Sequence, residues 1–510
     1  MAGRGPMHDV ELVEDDEPMS AADVRPDPPA DDAPPTDAPP AAAPSDPRAR
    51  RRLALAAAVL AVVVGGAVVA QGVVDRRERA RVATVAELPG AVAPLAGPAS
   101  LLWAASDEML SGLDVRTPDG LLVGVSDSAE GPVHVRALDA RTGEVAWQVE
   151  LIDGSGRPDT DSRDDLYRDS GSCAAGLPDD HLAVCLAHDG SASFADGSWE
   201  GGAAPSTMRL VVLDTRDGSV VTDLSDALAP GTSPWLATVD DVVVLYDGLT
   251  GSDTQVRGVR FDGTLAWQRP LPAADGAASS LVVPVGDLVA VATPTDVLLL
   301  DAEGTTVRAV PLGDRTVMGA WRDAFYLTNR QEFDSDGNEL GPPLRTTVVR
   351  ADGEVEVDGD PVGLGLDDGS VPGLVLTAVG NGTRAWDREG RALWSLDTVT
   401  AWGAVLLDGR LHLTLGTDQV ALDARTGAEL WRSGVSSHQP VTDGRHLLTL
   451  VSDPAGDAGS ELVALDPSDG SEVWRSPLPG PTDALTSVLH LLVAYRYDPD
   501  ADETSLTVLG

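Results

Sequence analysis

The sequence has no lysine. All 36 of its basic residues are arginine, set against 81 aspartates and glutamates, and the net charge is −45. A phosphate-binding loop needs the lysine that follows its last glycine, so that class of nucleotide site is excluded. Nucleic acid and anionic lipid both need basic patches, and so acidic a chain makes neither a partner of the folded part. The acidic balance itself reads as a well-solvated surface.

Chemistry-bearing motifs are scarce as well. Eight histidines are scattered, with no His-Glu-x-x-His pair to hold zinc on a helix. No Gly-x-Ser-x-Gly elbow presents a serine nucleophile. Asp334, Asp336 and Gly337 begin like a calcium loop, but Pro343 stands where that loop needs its last glutamate. No catalytic residue, metal site or cofactor site is expected from these motifs. Cysteine is confined to Cys173 and Cys185. Both lie six residues from Asp179, so a hairpin turning at Pro178, Asp179 and Asp180 sets them opposite each other, where a disulfide fits. That pairing implies an oxidising compartment. The alternative is two reduced core cysteines.

What the chain has in quantity is one repeat. Ala421 to Trp431 reads Ala-Leu-Asp-Ala-Arg-Thr-Gly-Ala-Glu-Leu-Trp, and near copies run from Ala137 to Trp147 and from Ala464 to Trp474. Aligning weaker copies on the turn glycine gives eight, at Gly143, Gly218, Gly263, Gly304, Gly353, Gly390, Gly427 and Gly470. Four residues after the glycine stands Trp147, Trp267, Trp394, Trp431 or Trp474 in five copies, and Thr222, Arg308 or Val357 in the other three. Apolar runs enter and leave a turn of Asp, Thr and Gly, which is hairpin chemistry. Two further apolar runs precede most copies, such as Ala404 to Leu407 and Leu411 to Leu415. Four strands at intervals of 37 to 75 residues suit an all-β propeller.

The N-terminal fifth is different. Residues 1–52 are rich in Asp, Glu, Pro and Ala and are expected to be a disordered cytoplasmic tail. Leu53 to Val74 is apolar apart from Gly65, Gly66, Gln71 and Gly72, and at 1.5 Å per residue it is long enough to span a bilayer. A cleavable signal peptide is the competing reading, and the long acidic leader argues for an uncleaved single-pass anchor. Residues 75–98, with Pro89, Pro94, Gly97 and Pro98, read as a stalk. Residues 99–510 are left for the propeller. Ala99 to Ser106 resembles a last strand without its hairpin, while Leu485 to Leu509 offers three strands without a fourth. The N-terminal strand is therefore expected to complete the C-terminal blade, in a ring of eight, with seven and nine as the alternative counts if a degenerate copy is miscounted.

The pattern Ala-x-Asp-x-x-Thr-Gly-x-x-x-Trp resembles the tryptophan-docking repeat of the PQQ-like propellers, which include quinoprotein alcohol dehydrogenases and BamB-type scaffolds. The resemblance implies that Trp147, Trp267, Trp394, Trp431 and Trp474 wedge between blades. In the quinoproteins it implies a quinone held against two adjacent cysteines, with calcium beside it. Here the two cysteines stand twelve apart, and the haem signature Cys-x-x-Cys-His is missing.

With strands labelled A to D from the inside of each blade, A–B and C–D turns lie on one rim, and B–C and D–A connections on the other. Five long connections fall on the second rim: Asp153 to Ser170, Asp189 to Ser206, Gln331 to Leu344, Ser452 to Ser460 and Asp498 to Thr504. The first carries Asp161, Asp164 and Tyr167, and the second carries Phe194 and Trp199, which makes this rim the candidate binding surface. The expectation is a non-catalytic, membrane-anchored, extracytoplasmic propeller that binds a protein or a small ligand. The alternatives are a PQQ-dependent oxidoreductase and an extracytoplasmic sensor of a small ligand.

Overall fold

The computed structural model describes residues 71–73 and 75–510, apart from residues 107–108, 111, 128–130, 154–169, 177–180, 191–192, 196–197, 202–204, 230–231, 248–254, 272–280, 294, 330–331, 334–338, 341–342, 399–402, 435–438, 453–458, 479, 481 and 499–502. The expected tail, and all but three residues of the expected membrane helix, lie outside the described residues. Among the described residues no helix is long and apolar enough to cross a membrane.

Nine antiparallel blades follow one another along the chain. Blades 1 to 8 take in residues 113–152, 171–223, 232–270, 281–311, 315–358, 360–396, 404–433 and 441–477. Blade 9 combines three strands within 484–509 with Leu101–Ser106, which pairs antiparallel with Glu503–Leu509 as the outermost strand. The N-terminal strand thus closes the C-terminal blade as expected, but the ring has nine blades rather than eight. The reason lies in the counting: each of the eight turn glycines marks the C–D hairpin of its own blade. Blade 9 has no such hairpin, because its D strand comes from the other end of the chain.

The regular turns are built by their aspartates. Asp423 Oδ1 accepts from the main-chain nitrogens of Arg425 and Thr426 and from the Thr426 hydroxyl, while Gly427 N donates to the Asp423 carbonyl. These bonds, that of the Thr426 hydroxyl first, hold the Asp423 carboxyl below the ordinary carboxylate range. Asp139 repeats the arrangement with Arg141 and Thr142.

The core is a set of seams between consecutive blades. Val123, Val135, Ala183 and Val211 fill the seam of blades 1 and 2, for example, and Leu406, Leu413, Leu376 and Ala385 that of blades 6 and 7. The ring is closed by the seam that joins Leu491, Val493 and Val508 of blade 9 to Leu113, Leu122 and Leu138 of blade 1. Alternating apolar residues on both faces of every inner strand supply these seams, so each blade is buried on two sides.

The tryptophans mark the outer part of the same seams. Trp147 Nε1 donates to the Thr215 carbonyl at 2.9 Å in blade 2, Trp267 to Ala302 at 2.8 Å in blade 4, Trp394 to Ala424 at 2.9 Å in blade 7 and Trp431 to Pro467 at 3.1 Å in blade 8. Each ring lies against the turn glycine of that next blade, where an added Cβ would come within 2.3–2.6 Å of it. Trp103 makes the same contact from blade 9 to Gly143 of blade 1. Trp474 differs, and its Nε1 has no hydrogen-bond partner among the described residues. The next C–D junction is where Ser100 and Gly510 meet, two separate segments pairing main chain to main chain in place of a hairpin turn.

Residues 75–98 do more than link. Residues 75–86 are helical, and Val85, Ala91, Val92 and Leu95 are buried against blades 7 to 9. Ala91 forms a parallel bridge with Thr442, Leu95 N donates to Asp443 Oδ2 at 3.1 Å, and Arg81 pairs with Asp408 at 3.1 Å. Thr442, Asp443 and Asp408 all sit at or beside A–B turns, so this segment lies on the rim opposite the long connections. Its apolar residues, every third or fourth in sequence, give it a reason to dock that a flexible spacer lacks.

Candidate functional site

Strand order puts the five long connections where the sequence places them. Each joins a B strand to a C strand, or blade 1 to blade 2, so all five leave the same rim. Two of them carry hairpins of their own. Ser193–Ala195 pairs with Ser198–Gly201, with Phe194 opposite Trp199 in the register, and Glu332–Phe333 pairs with Glu339–Leu340. Asp161, Asp164 and Tyr167 belong to residues 154–169 and lie outside the described residues.

The ends of these connections are pinned by polar side chains at the sheet margin. Asp189, 4 % exposed, accepts from Ser206 N at 2.7 Å, Thr207 N at 2.9 Å and Ser206 Oγ at 2.5 Å. Burial pushes the Asp189 carboxyl up, but these donors outweigh it and hold the group below its ordinary value. Asn329 Oδ1 accepts from Arg345 N at 2.5 Å across the base of the second hairpin. Ser460 Oγ donates to the Thr482 carbonyl at 3.2 Å and accepts from Thr482 N at 2.9 Å. Sequence reasoning passed over Asp189 and Asn329. Their signal is a lone polar residue that ends an apolar B strand just before an insertion.

The cysteines meet as expected. Cys173 and Cys185 are direct cross-strand partners in blade 2 and form a disulfide, with both side chains buried. The Cys173 main-chain nitrogen donates to Asp114 Oδ2 of blade 1 at 2.7 Å, so the bridge stands at a blade seam. A quinone platform needs adjacent cysteines on one strand, and this pair does not supply it. Among the described residues no three His, Cys, Asp or Glu side chains are grouped to hold a metal ion.

Residues 416–496 match the family model of the outer membrane protein assembly factor BamB. The BamB-like segment covers the C–D hairpin of blade 7, all of blade 8 and the inner strands of blade 9. It contains Trp431 and Trp474 with their turn glycines, which is the PQQ-like repeat in its most regular form. No protein of curated function matches the chain in sequence. Among solved structures, BamB from Moraxella catarrhalis is similar at 17 % identity, over 81 % of this chain and 99 % of that one, with a TM-score of 0.38. A eukaryotic initiation factor is similar at 13 % identity, over 77 % and 91 %, with a TM-score of 0.41. The quinohemoprotein alcohol dehydrogenase of Comamonas testosteroni is similar at 12 % identity, over 81 % and 76 %, with a TM-score of 0.35.

Proposed function

We propose that this protein is a membrane-anchored, extracytoplasmic propeller that works without chemistry of its own, as a scaffold for another protein. One observation carries the reading: the two connections that bear hairpins of their own share one rim with the other three named above, while residues 81–99 pack on the opposite rim. Loops gathered on a rigid ring give a partner a surface that needs little ordering before it binds. Phe194 and Trp199, cross-strand neighbours on an inserted hairpin, are the aromatic anchors of this proposal. The buried disulfide suits an oxidising compartment outside the cytoplasm. The family that matches residues 416–496 is described as an assembly factor, which supports a protein as the partner. In this reading residues 53–74 are the anchor and residues 1–52 the cytoplasmic tail.

The test is cross-linking on intact cells, comparing the full chain with the double variant Phe194→Ala, Trp199→Ala. Capture of the main partner is expected to fall at least tenfold while the melting temperature stays within about 1 °C, because the hairpin lies outside the blade seams. Equal capture by both proteins would reject the hairpin as the docking site.

A further inference from the structure

Blade 6 departs from the others at its innermost strand. Asp360–Val362 pairs with only three residues of Val375–Val379, and the chain then steps sideways. Leu364–Asp367 adds itself in parallel to Ala404–Leu407 of blade 7, which makes that blade five-stranded. The transfer leaves the inner edge of blade 6 uncovered at Val375, just beyond the last pair, Val362 with Leu376. A cavity of about 310 Å³ fills the gap, with blade 5 on one side and Pro89 of the docked N-terminal segment on the other. Small-molecule sites begin at about 300 Å³.

The walls of this cavity are not those of a packing defect. Val362, Leu376 and the ring of Trp321 make it apolar on one side, and Trp321 meets Tyr326 edge to face at 4.6 Å. Arg350 lines it from blade 5 and is only 5 % exposed. Among the described residues its Nε has no hydrogen-bond partner, and its one side-chain hydrogen bond, from Nη2 to the Gly373 carbonyl, is long at 3.4 Å. No carboxylate lies within ion-pair distance of Arg350 among the described residues. The nearby Asp367 is taken by Arg322 at 3.0 Å, and Asp323 is exposed. A buried cation without a counter-charge is costly to keep. The repeat sharpens the contrast: at this position blades 4 and 6 carry Asp301 and Asp387, and the arginine of blade 3, Arg260, pairs with Asp241 at 2.8 Å. Tyr326 beside it is kept protonated by burial, its hydroxyl pushed up to about 12, so that it remains a donor at every physiological pH.

We propose that this cavity binds a small organic carboxylate, with its carboxylate on Arg350 and Tyr326 and its apolar body against Trp321 and Leu376. A monoanion fits better than a phosphate, since one unpaired guanidinium with Asp323 and Asp367 close by does not balance a second negative charge. The site is separate from the loop-bearing rim, and the inference stands whether or not that rim binds a protein.

Benzoate serves as the probe and benzyl alcohol as its neutral analogue, titrated calorimetrically into the full chain in detergent at pH 7. Saturable binding of benzoate is expected, with benzyl alcohol and inorganic phosphate at least tenfold weaker. Arg350→Gln should weaken benzoate at least tenfold, and Tyr326→Phe about threefold. The proposal is overturned if benzoate shows no saturable binding, if benzyl alcohol or phosphate matches it, or if Arg350→Gln binds as the wild type does. Should Arg350→Gln fail to fold, unchanged affinity in Tyr326→Phe overturns it equally.

Discussion

The indole Nε1 of Trp103 donates to the main-chain carbonyl of Ala140 at 3.2 Å, and so ties the first strand of the propeller to its first complete blade. Trp474 stands in the matching position of blade 8 and finds no acceptor. The difference follows from how the ring closes, because the one blade without a C–D turn is the one that Trp474 faces.

This contrast can be measured. Trp→Phe removes the indole donor and keeps an aromatic ring. Trp103→Phe and Trp431→Phe should each cost about 1 kcal/mol more than Trp474→Phe, the net worth of one hydrogen bond together with the carbonyl it leaves unpaired. Urea unfolding midpoints of the three variants decide it, and equal losses would mean that the bonds contribute nothing.

Gly427 is held to glycine twice over. Its φ is +70°, and a Cβ there would lie 2.6 Å from Trp394 Cγ. Gly427→Ala should destabilise by about 2–4 kcal/mol, from left-handed backbone strain and displacement of the ring. Gly353 occupies the same turn position in blade 5 with no positive φ and nothing within 4 Å, so Gly353→Ala should stay within about 0.5 kcal/mol of wild type. Thermal melts of the pair test the claim.

His412 brings a pH dependence. It is fully buried beside Trp431, ring centroids 5.6 Å apart, and neither ring nitrogen has a partner among the described residues. Burial, helped by Arg410, pushes its imidazole down to about 3. An unfolded histidine titrates near 6.5, so as the pH falls the unfolded chain takes up the proton first. The stability from keeping His412 neutral is complete above about pH 6.5 and is lost as the pH falls towards 3, roughly 2 kcal/mol of it by pH 5. His412→Leu should remove that share of the acid sensitivity, which unfolding curves at pH 8 and pH 5 would reveal as a smaller shift of the midpoint in the variant.

Gly90 fixes the docked N-terminal segment. With φ at +88°, a Cβ would lie 1.6 Å from the Gly365 carbonyl oxygen, an overlap that only movement of main chain can relieve. Gly90→Ala should lift the segment from blades 7 to 9 and expose the Arg81 peptide bond, now held by the Arg81–Asp408 pair. Trypsin cleavage at that site is expected to quicken at least fivefold. An unchanged rate would show that the segment docks without this close approach.

Legibility in the sequence varied with how local each feature is. Turn chemistry is local, so Asp423, Thr426 and Gly427 announce their hairpin, and the strand alternation that goes with it announces the blades. The cross-strand pair Cys173–Cys185 was legible because both residues belong to one hairpin. The composite blade was legible from its two fragments, but the count fell one short, because it rested on the hairpins and this blade closes without one. Docking of residues 85–95 depends on Gly365, Thr442 and Asp443, which nothing nearby in sequence advertises. Nothing in the repeat marks Arg350, since blade 3 carries Arg260 at the same turn position, and the cavity beside it depends on a strand that blade 6 gives up to blade 7.

Closure by Leu101–Ser106 also sets a timetable. This strand leaves the ribosome before any complete blade, yet its partner, Glu503–Leu509, follows about 400 residues later. At about 5–20 residues per second, the roughly 400 residues between them take on the order of a minute or less to synthesise. Blades 1 to 8 can form in order during that time, each on the seam offered by the one before. Through all of it the unpaired strand, with exposed Leu101 and Leu102 and the Trp103 indole, must stay out of wrong pairings. The docked residues ahead of it are no help, since they need blades 7 to 9. The unpaired edge of Leu101–Ser106 is therefore open to wrong pairings for the whole interval, until Glu503–Leu509 covers it.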